Sequence, residues 1–350
     1  MAALKIFRVP LFAGVFCLTG LAHAQSVDGP VMGFVLEKSA GIRALRGMPG
    51  AATLGPALAR DLGYTQIAFA QQRDYALGIT QIGAQVVLLQ SLTGRPRAGL
   101  MDLPAGVERV ATSPSGDAAA FYYAGSRSVL VVTGLPDSPV VSWSLEAPGL
   151  QGGSAALAVS DGGAAVLIAG GAQVYWMAPD LGARFLAVVG GSPSVAFLAG
   201  SSDAVVADGT LSRVMLVRDP KGEAQVSLIG DAAQSVSRPV AVAASLDNRR
   251  VFVANGEPGG VVSLSLAGED SPLISCDCTP TGLDRLAGES TFRLTEAGKG
   301  PVWIVEGAGS TPRTVFVPFE ASSVPMVPLR PPVRQPVRVG PPFGPRRGER

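Results

Sequence analysis

Residues 237–256 read SRPVAVAASLDNRRVFVANG, and this stretch sets the pattern on which the rest of the chain is built. Two apolar runs, Val240–Ala244 and Val251–Ala254, flank a short polar turn at Asp247 and Asn248. Short valine-rich runs bounded by turn residues are typical of β-strands. Asp and Asn also tolerate the positive backbone angles of a tight hairpin. The stretch therefore predicts two antiparallel strands joined by a turn.

The same strand–turn–strand pattern recurs along the chain. The other turns fall about 40 to 46 residues apart, near Gln72, Ser115, Asp161, Ser201 and Gly288. A third and a fourth apolar run follow each pair, such as VVSLSL at 261–266 and PLISCD at 272–277. Four strands per unit at this period predict an all-β fold, a β-propeller of four-stranded blades, with six repeats over residues 64–318.

Residues 33–47, GFVLEKSAGIRALRG, have the form of a third and a fourth strand without the first two. We expect this N-terminal hairpin to close the ring, because strands from both chain ends can share one blade. Residues 48–63 would then connect to the first full unit, with a short helical turn at 56–62. Six or seven blades remain open, and the pattern favours seven with one incomplete blade. The propeller would span residues 25–320.

The N-terminus has the layout of a secretory signal peptide. Lys5 and Arg8 precede the apolar stretch LFAGVFCLTGLA, which ends in Ala22-His23-Ala24. A basic start, an apolar centre and a small-x-small end are the three parts of such a signal. We expect residues 1–24 to be cleaved and the protein to be periplasmic or secreted by bacterial export. No later apolar run is long enough to predict a transmembrane segment.

The scarcity of histidine and the small net charge exclude several classes of function. His23 is the only histidine, so the mature chain would have none. This excludes Ser-His-Asp triads, Cys-His dyads and ordinary zinc centres. Acidic and basic residues nearly balance, so no net field favours nucleic acid or an anionic membrane. We predict no cofactor and no nucleic-acid partner, and we expect a monomer.

Cys276 and Cys278 are the only cysteines after residue 24. In an exported protein the pair suggests a disulfide, although a straight strand would hold the two Cα atoms about 6.5 to 7 Å apart, at the upper limit for a bridge. The backbone would therefore have to bend. The sequence leaves four alternatives open: a disulfide that staples a turn, a reactive redox pair, a metal site or free thiols.

One face of the predicted ring carries the loops that join second to third strands and one blade to the next. We call it the connecting face. Its polar residues could bind a divalent cation, a sugar or a loop of a partner. The candidate interaction residues are Arg127, Arg213, Arg238, Glu296 and Lys299. The weak candidates for a metal site are Asp208, Asn255 and Glu257, and Cys276 and Cys278 lie in a connecting loop of the same face.

The repeat units resemble a known superfamily. The pairs RPVAVAASLDNRRVFVAN (238–255) and ALAVSDGGAAVLIA (156–169) are similar to bacterial secreted β-propellers with YVTN or lactonase-like repeats. VFVAN at 251–255 is the nearest approach to the signature tetrapeptide, and the resemblance covers about 64–318. CDCTPTGLDRLAGESTFRLTE (276–296) also resembles exported propellers of unassigned activity. The resemblance implies the fold and assigns no activity.

The C-terminal residues 321–350 change composition. PMVPLRPPVRQPVRVGPPFGPRRGER (325–350) carries six arginines against the single acidic residue Glu349. Such a Pro- and Arg-rich segment cannot bury a core, so we predict a disordered or extended, polyproline-like tail. It could act as a tether that touches an acidic surface, an anionic glycan or an aromatic groove.

Two functions remain open from the sequence. The favoured one is a non-catalytic scaffold that binds an envelope or extracellular protein, or a glycan. The alternative is a metal-assisted propeller enzyme of the lactone hydrolase or sugar lyase type, with a cation on Asp208, Asn255 and Glu257. The missing histidine and the absence of a nucleophile motif favour the scaffold.

Overall fold

The chain forms a β-propeller of seven blades, as the sequence favours. The computed structural model describes residues 29–38, 40–59, 63–150, 155–268, 271–298, 300–308, 311–319 and 333–339. The cleavage site after Ala24 and the candidate Lys299 lie outside these residues. In the described residues, no helix is long and apolar enough to cross a bilayer.

The first four blades follow one another in chain order. Blade 1 contains β1 (Val31–Glu37), β2 (Gly41–Arg46) and β3 (Thr53–Ala59). Blade 2 contains β4 (Tyr64–Ala70), β5 (Tyr75–Thr80), β6 (Val86–Gln90) and β7 (Arg97–Met101). Blade 3 contains β8 (Arg109–Thr112), β9 (Ala118–Tyr123), β10 (Ser128–Thr133) and β11 (Val140–Glu146). Blade 4 contains β12 (Ala156–Val159), β13 (Val166–Gly170), β14 (Gln173–Ala178) and β15 (Gly182–Val188).

The remaining blades repeat this order. Blade 5 contains β16 (Pro193–Phe197), β17 (Ala204–Asp208), β18 (Arg213–Arg218) and β19 (Gln225–Gly230). Blade 6 contains β20 (Pro239–Ala244), β21 (Arg250–Asn255), β22 (Gly260–Ser265) and β23 (Leu273–Ser275). Blade 7 contains β24 (Asp284–Arg285), β25 (Thr291–Arg293), β26 (Val302–Glu306) and β27 (Arg313–Val317). Within the described ranges, three single 3₁₀ turns cover Gln71–Arg73, Asp161–Gly163 and Ala232–Gln234.

The hydrophobic core lies between the blades. Each pair of neighbouring blades shares one apolar cluster in the described part of the chain, including blades 7 and 1. Small residues let the sheets approach closely, as with Ala118 and Ala120 of β9, which pack in the same cluster as Trp143 of the outer strand. Trp176 is fully buried between blades 4 and 5. Removing so large a side chain costs about 3–5 kcal/mol.

Blades 7 and 1 close the ring by side-chain packing. The expectation that strands from both chain ends share one blade is wrong. Blade 7 has four strands of its own, and β1 and β2 form a separate sheet with β3. The N-terminal hairpin therefore shares no blade with the C-terminal repeat. Val35 and Leu45 instead pack against Val302 and Ile304 of blade 7. The hairpin is buried along both strands, as second and third strands are elsewhere in the ring, so it does not supply the third and fourth strands.

The segment predicted as a connection with a helical turn contains a strand, β3, while residues 60–62 lie outside the described residues. β3 pairs antiparallel with β2, from Thr53 opposite Arg46 to Ala59 opposite Ile42. The pairing has two register shifts, one of which accommodates Gly55 and Pro56, and an outer strand is a position where proline is tolerated. Sequence reasoning missed the strand because Gly and Pro interrupt its alternation. Buried Arg43 fixes the pairing, since its Nε donates to the Gly55 carbonyl at 2.8 Å.

Part of the Pro- and Arg-rich tail forms short strands, where the composition predicts a disordered or extended, polyproline-like segment. β28 (Val333–Gln335) runs parallel to β7, and β29 (Arg338–Val339) runs parallel to β11. The tail thus adds a fifth strand to blade 2 and another to blade 3. Pro336 lies between the two strands, where its missing N–H removes no bond from either ladder. The rest of 321–350 lies outside the described residues.

Candidate functional site

The candidate Asp208 lies on the connecting face, at the end of β17, and it is completely buried. Its carboxylate accepts three backbone N–H bonds, from Gly190 at 2.7 Å, Thr210 at 3.1 Å and Leu211 at 3.0 Å. Nε of the candidate Arg213 lies 3.4 Å from the same carboxylate. Bonds of this kind satisfy a buried carboxylate within the protein. Asp208 therefore fixes the two loops at this end of blade 5.

Asn255 occupies the equivalent position in blade 6, at the end of β21. Its Oδ1 accepts from the Ser237 N–H at 3.0 Å, and its Nδ2 donates to the Ser235 carbonyl at 2.8 Å. Glu257 follows in the next turn, but its carboxylate pairs with Arg238 at 2.7 Å. In the described residues no group of three or more His, Cys, Asp or Glu side chains is arranged for a metal. The structure uses Asp208 and Asn255 as loop supports.

The other candidates of this face are spread around the ring. Exposed Arg127 lies 3.6 Å from Glu146 in an ion pair of blade 3. Arg213 donates from its NH2 group to the Val188 carbonyl at 2.9 Å, which ties blade 5 to blade 4. Glu296 is exposed in a loop of blade 7. Arg238 and Glu257 both line a depression of about 540 Å³ between the loops of blades 5 and 6.

The two cysteines form a disulfide at the end of blade 6. The Cα atoms of Cys276 and Cys278 are 5.2 Å apart, so the backbone bends after β23, as a bridge at this spacing requires. The bridged loop covers the blade 6 turn closely. A Cβ on Gly259 would come 1.9 Å from the Cys278 carbonyl oxygen. Glycine at 259 and the bridged loop are therefore fitted to each other.

The opposite face, which we call the turn face, carries loops that join first to second strands and third to fourth strands. Sequence reasoning did not single out its carboxylates. Asp161 of blade 4 accepts from the Ser115 N–H of blade 3 and the Gly200 N–H of blade 5, both at 2.7 Å. Asp117 of blade 3 accepts from the Gly162 N–H at 3.0 Å. These carboxylates join three consecutive blades.

Asp117 is held in its charged form. Burial alone would raise the pKa of this carboxyl, but hydrogen bonds from Gly162, Ser115 and Ser113, with the charge of Arg73, lower it overall. Asn248 joins blade 6 to blade 5 in a similar way. Its side chain both accepts from and donates to the Ala199 backbone, at 2.9 and 2.7 Å. The turn residues that recur about every 40 residues could have indicated these positions. A single sequence does not show which turns of neighbouring blades bond to each other.

Arg285 lines the central channel near the turn face. Its guanidinium lies 4.9 Å from the centre of the Phe292 ring and donates to the carbonyls of Ala244 and Glu289. Burial lowers the pKa of Arg285 to about 10, while the charge of Asp161 opposes the shift. Most of the other lining residues are apolar, but Asp284 also lines the channel, which has a volume of about 270 Å³. Arg285 therefore supports the joint between blades 6 and 7.

The turn face also holds a depression of about 830 Å³ lined by Arg73, Asp74, Arg97 and Asp161. Asp74 accepts from the N–H and hydroxyl of Thr93, at 2.8 and 2.7 Å. Nε of Arg73 donates to the Ser115 carbonyl at 3.3 Å. The side chains that could do chemistry here are thus largely engaged in holding turns together.

The outer strands of blades 4 and 5 expose apolar side chains, which sequence reasoning also missed. Phe185 and Val188 of β15 are 52% and 60% exposed, and Val226 and Leu228 of β19 are 40% and 57% exposed. Single exposed apolar residues are ordinary, whereas a large contiguous apolar patch is typical of a binding surface. We call β15 and β19 the open edge. In the described residues, each pairs with one strand of its own blade.

No protein-family model matches the chain, and no curated protein sequence matches it. Several solved structures, however, are similar to it. A protein from Lactobacillus plantarum has a TM-score of 0.54 and 14% identity, covering 82% of this chain and 96% of that one. A putative 6-phosphogluconolactonase from Bacteroides uniformis has a TM-score of 0.55 and 13% identity, covering 79% and 91%. The Cps50 (Swd1) β-propeller domain from Myceliophteria thermophila has a TM-score of 0.51 and 11% identity, covering 77% and 94%.

The strand order and these comparisons define the class of the protein. The chain is a seven-bladed β-propeller. At 11–14% identity the likeness shows the fold alone, and propellers of this shape carry different activities.

Proposed function

We propose that this chain is a non-catalytic scaffold that binds another protein or a glycan at the bacterial envelope or outside the cell. The carrying observation is the open edge, where adjacent blades expose four large apolar side chains. Asp208 and Arg238 on the connecting face and Asp161 on the turn face are, by contrast, engaged in holding loops. A rigid ring with an exposed apolar rim fits a binding role better than a reaction.

The proposed location rests on two features. The first is the signal-like N-terminus ending in Ala22-His23-Ala24. The second is the Cys276–Cys278 disulfide, because such bonds persist mainly in oxidising compartments. Both are consistent with the resemblance to secreted bacterial propellers. An exported scaffold would have an envelope protein, an extracellular protein or a glycan as its partner.

The alternative, a metal-assisted lactone hydrolase or sugar lyase, has weaker support. Its cation would need oxygen ligands from Asp208, Asn255 and Glu257, but the first two already serve backbone groups. The similarity to a putative 6-phosphogluconolactonase is one of fold. Because a bound ion stabilises the native state, this alternative requires added calcium to raise the melting temperature and chelator to lower it.

The test is a crosslinking capture from the native envelope fraction, with the full chain as bait. We expect one specific partner, captured by the wild type and lost from a V226K/L228K variant. Ile82→Lys is the matched control, because Ile82 is an apolar side chain 89% exposed on another part of the ring. A failure to capture any partner, together with calcium-dependent stabilisation, would replace the scaffold by the enzyme.

A further inference from the structure

The central channel of the ring is lined by the inner strands of six blades. β4, β8, β12, β16, β20 and β24 all contribute to it, whereas blade 1 contributes nothing in the described residues. Most of this lining is apolar, with side chains such as Phe69, Leu157, Phe197 and Val242. The volume of about 270 Å³ is close to the lower end of the range of small-molecule sites, about 300–1,000 Å³.

Arg285 is the only basic residue of this lining within the part of the chain that the structure describes. Its guanidinium donates to the carbonyls of Ala244 and Glu289 and lies against the Phe292 ring. These two bonds use two of the five N–H groups of a guanidinium. No described carboxylate forms an ion pair with Arg285. Its hydrogen bonds are therefore partly satisfied, but its positive charge has no counter-ion.

Two acidic residues at the channel are engaged elsewhere. Asp284 lines the channel beside Arg285, but its carboxylate pairs with Arg293. Asp161, whose charge acts on Arg285, accepts from two backbone N–H groups of neighbouring blades. Burial outweighs the charge of Asp161 and lowers the pKa of Arg285 to about 10, so the guanidinium is still charged at neutral pH. A partly desolvated cation in a cavity is typical of a ligand-binding site.

Two neutral polar residues also line the channel. Within the described ranges, neither Thr112 nor Gln72 makes a side-chain hydrogen bond. Gln72 and Pro114 line both the channel and the turn-face depression of about 830 Å³, so the channel is reached from the turn face. A ligand that enters there meets one cation, one hydroxyl and one amide beside apolar walls.

We propose that the central channel binds a small organic carboxylate, with its carboxylate on Arg285 and a narrow apolar body along the inner strands. A planar guanidinium matches a carboxylate in both charge and geometry. A single cation among apolar walls favours a singly charged group with an apolar body over a phosphate, which would leave most of its acceptor oxygens without donors. This site lies apart from the open edge and adds a small-molecule ligand to the proposed scaffold.

The experiment measures binding of hexanoate to the full chain by isothermal titration calorimetry, with hexanol as the neutral probe of the same chain length. We expect hexanoate to bind saturably with a Kd of about 1 mM or below, and hexanol at least about tenfold more weakly. R285Q keeps N–H donors for the backbone carbonyls but removes the charge, and it should weaken hexanoate at least about tenfold. R218Q is the matched control, because Arg218 is exposed on β18, and it should leave the Kd unchanged.

A second variant fills the channel without changing Arg285. Ala111 of β8 lines the channel from blade 3, whereas Arg285 belongs to blade 7. A111L should remove hexanoate binding, because the larger side chain occupies the space of the apolar body. Circular dichroism melting checks that both variants remain folded, and A111L still tests the site if R285Q does not fold.

Other results would overturn the proposal. Equal binding of hexanoate and hexanol would show that the site does not recognise charge. Equal binding of inorganic phosphate would show that it needs no apolar body. Loss of hexanoate binding in V226K/L228K, with R285Q unaffected, would place the probe on the open edge. The absence of saturable binding below about 10 mM would show that the channel accepts no such carboxylate. None of these results changes the capture experiment, so the scaffold function is tested separately.

Discussion

The outer strands of blades 2 and 3 and those of blades 4 and 5 have the same place in the fold but different surroundings. The tail pairs with β7 and β11, whereas β15 and β19 carry no added strand in the described residues. Gly99 is buried beneath Gln335, while its counterpart Ser227 is exposed. The comparison teaches that a repeat fold makes several equivalent edges, and that the sequence decides which are covered.

Removing the tail should have the largest effect on this comparison. A chain truncated after Pro331 loses the partner of the Asp102 N–H and the cover over β7. We expect amide exchange in residues 97–102 to accelerate by about tenfold or more, because opening no longer requires release of a strand. Hydrogen–deuterium exchange measures this change. Unaltered exchange in 97–102 would mean that the tail contributes no protection.

Gly99→Val should displace the tail without removing it. The three heavy atoms nearest to a Cβ at Gly99 all belong to Gln335, at 2.7–2.8 Å. We expect exchange in 97–102 to approach that of the truncated chain, because Gln335 and the new side chain cannot share this space. Ser227→Val is the matched control on blade 5, and it should change stability by less than about 0.5 kcal/mol. If both variants change amide exchange to the same extent, the claim that the tail covers Gly99 sterically is wrong.

Lysine substitutions should separate a covered apolar residue from an open one. Val337 packs against the cluster between blades 2 and 3, while Leu228 is exposed. Val337→Lys should lower the free energy of unfolding by about 1 kcal/mol, since it loses part of its apolar burial. Leu228→Lys should leave the free energy of unfolding of the isolated protein nearly unchanged. Urea unfolding compares the two, and an equal loss in both would remove the distinction.

Gln335→Ala should have the smallest effect. Nε2 of Gln335 donates to Oε1 of Gln90 at 3.2 Å, and one hydrogen bond of this kind contributes about 0.5–1.5 kcal/mol. We expect a slight gain in exchange at 97–102, with β28 still in place through its backbone bonds. Gln90→Ala provides the reciprocal check. A full release of the tail in either variant would assign its binding to side chains instead of backbone pairing.

The sequence predicts the repeats, the blades and their strand order, because alternation and turn residues recur at a fixed period. It does not predict β3, because Gly55 and Pro56 break the alternation and register shifts restore the pairing. It also misses the seating of the tail, since the bond from Gln335 to Gln90 joins residues 245 positions apart. Extended Pro-rich chain has no core of its own and pairs only when a distant edge receives it.

The candidate site was likewise predictable only in part from the sequence. Turn residues and loop charges could be located from spacing, so the side of the ring on which Asp208 and Arg238 lie was predictable. Their roles were not, because Asp208 accepts from Gly190 in the loop that leads from blade 4 to blade 5, and Arg238 pairs with Glu257 across two loops. The open edge was missed because a period-two strand pattern does not show which outer strands are covered.

The most direct test of the account is amide hydrogen exchange on the intact chain, comparing the covered strand β7 with the open strand β19. The account predicts that outward-facing amides in 97–102 exchange at least about tenfold more slowly than those in 225–230, because only the first group lies beneath an added strand. Equal exchange in the two segments would contradict it. The edges of blades 2 and 5 would then be equally open, or equally covered, in solution.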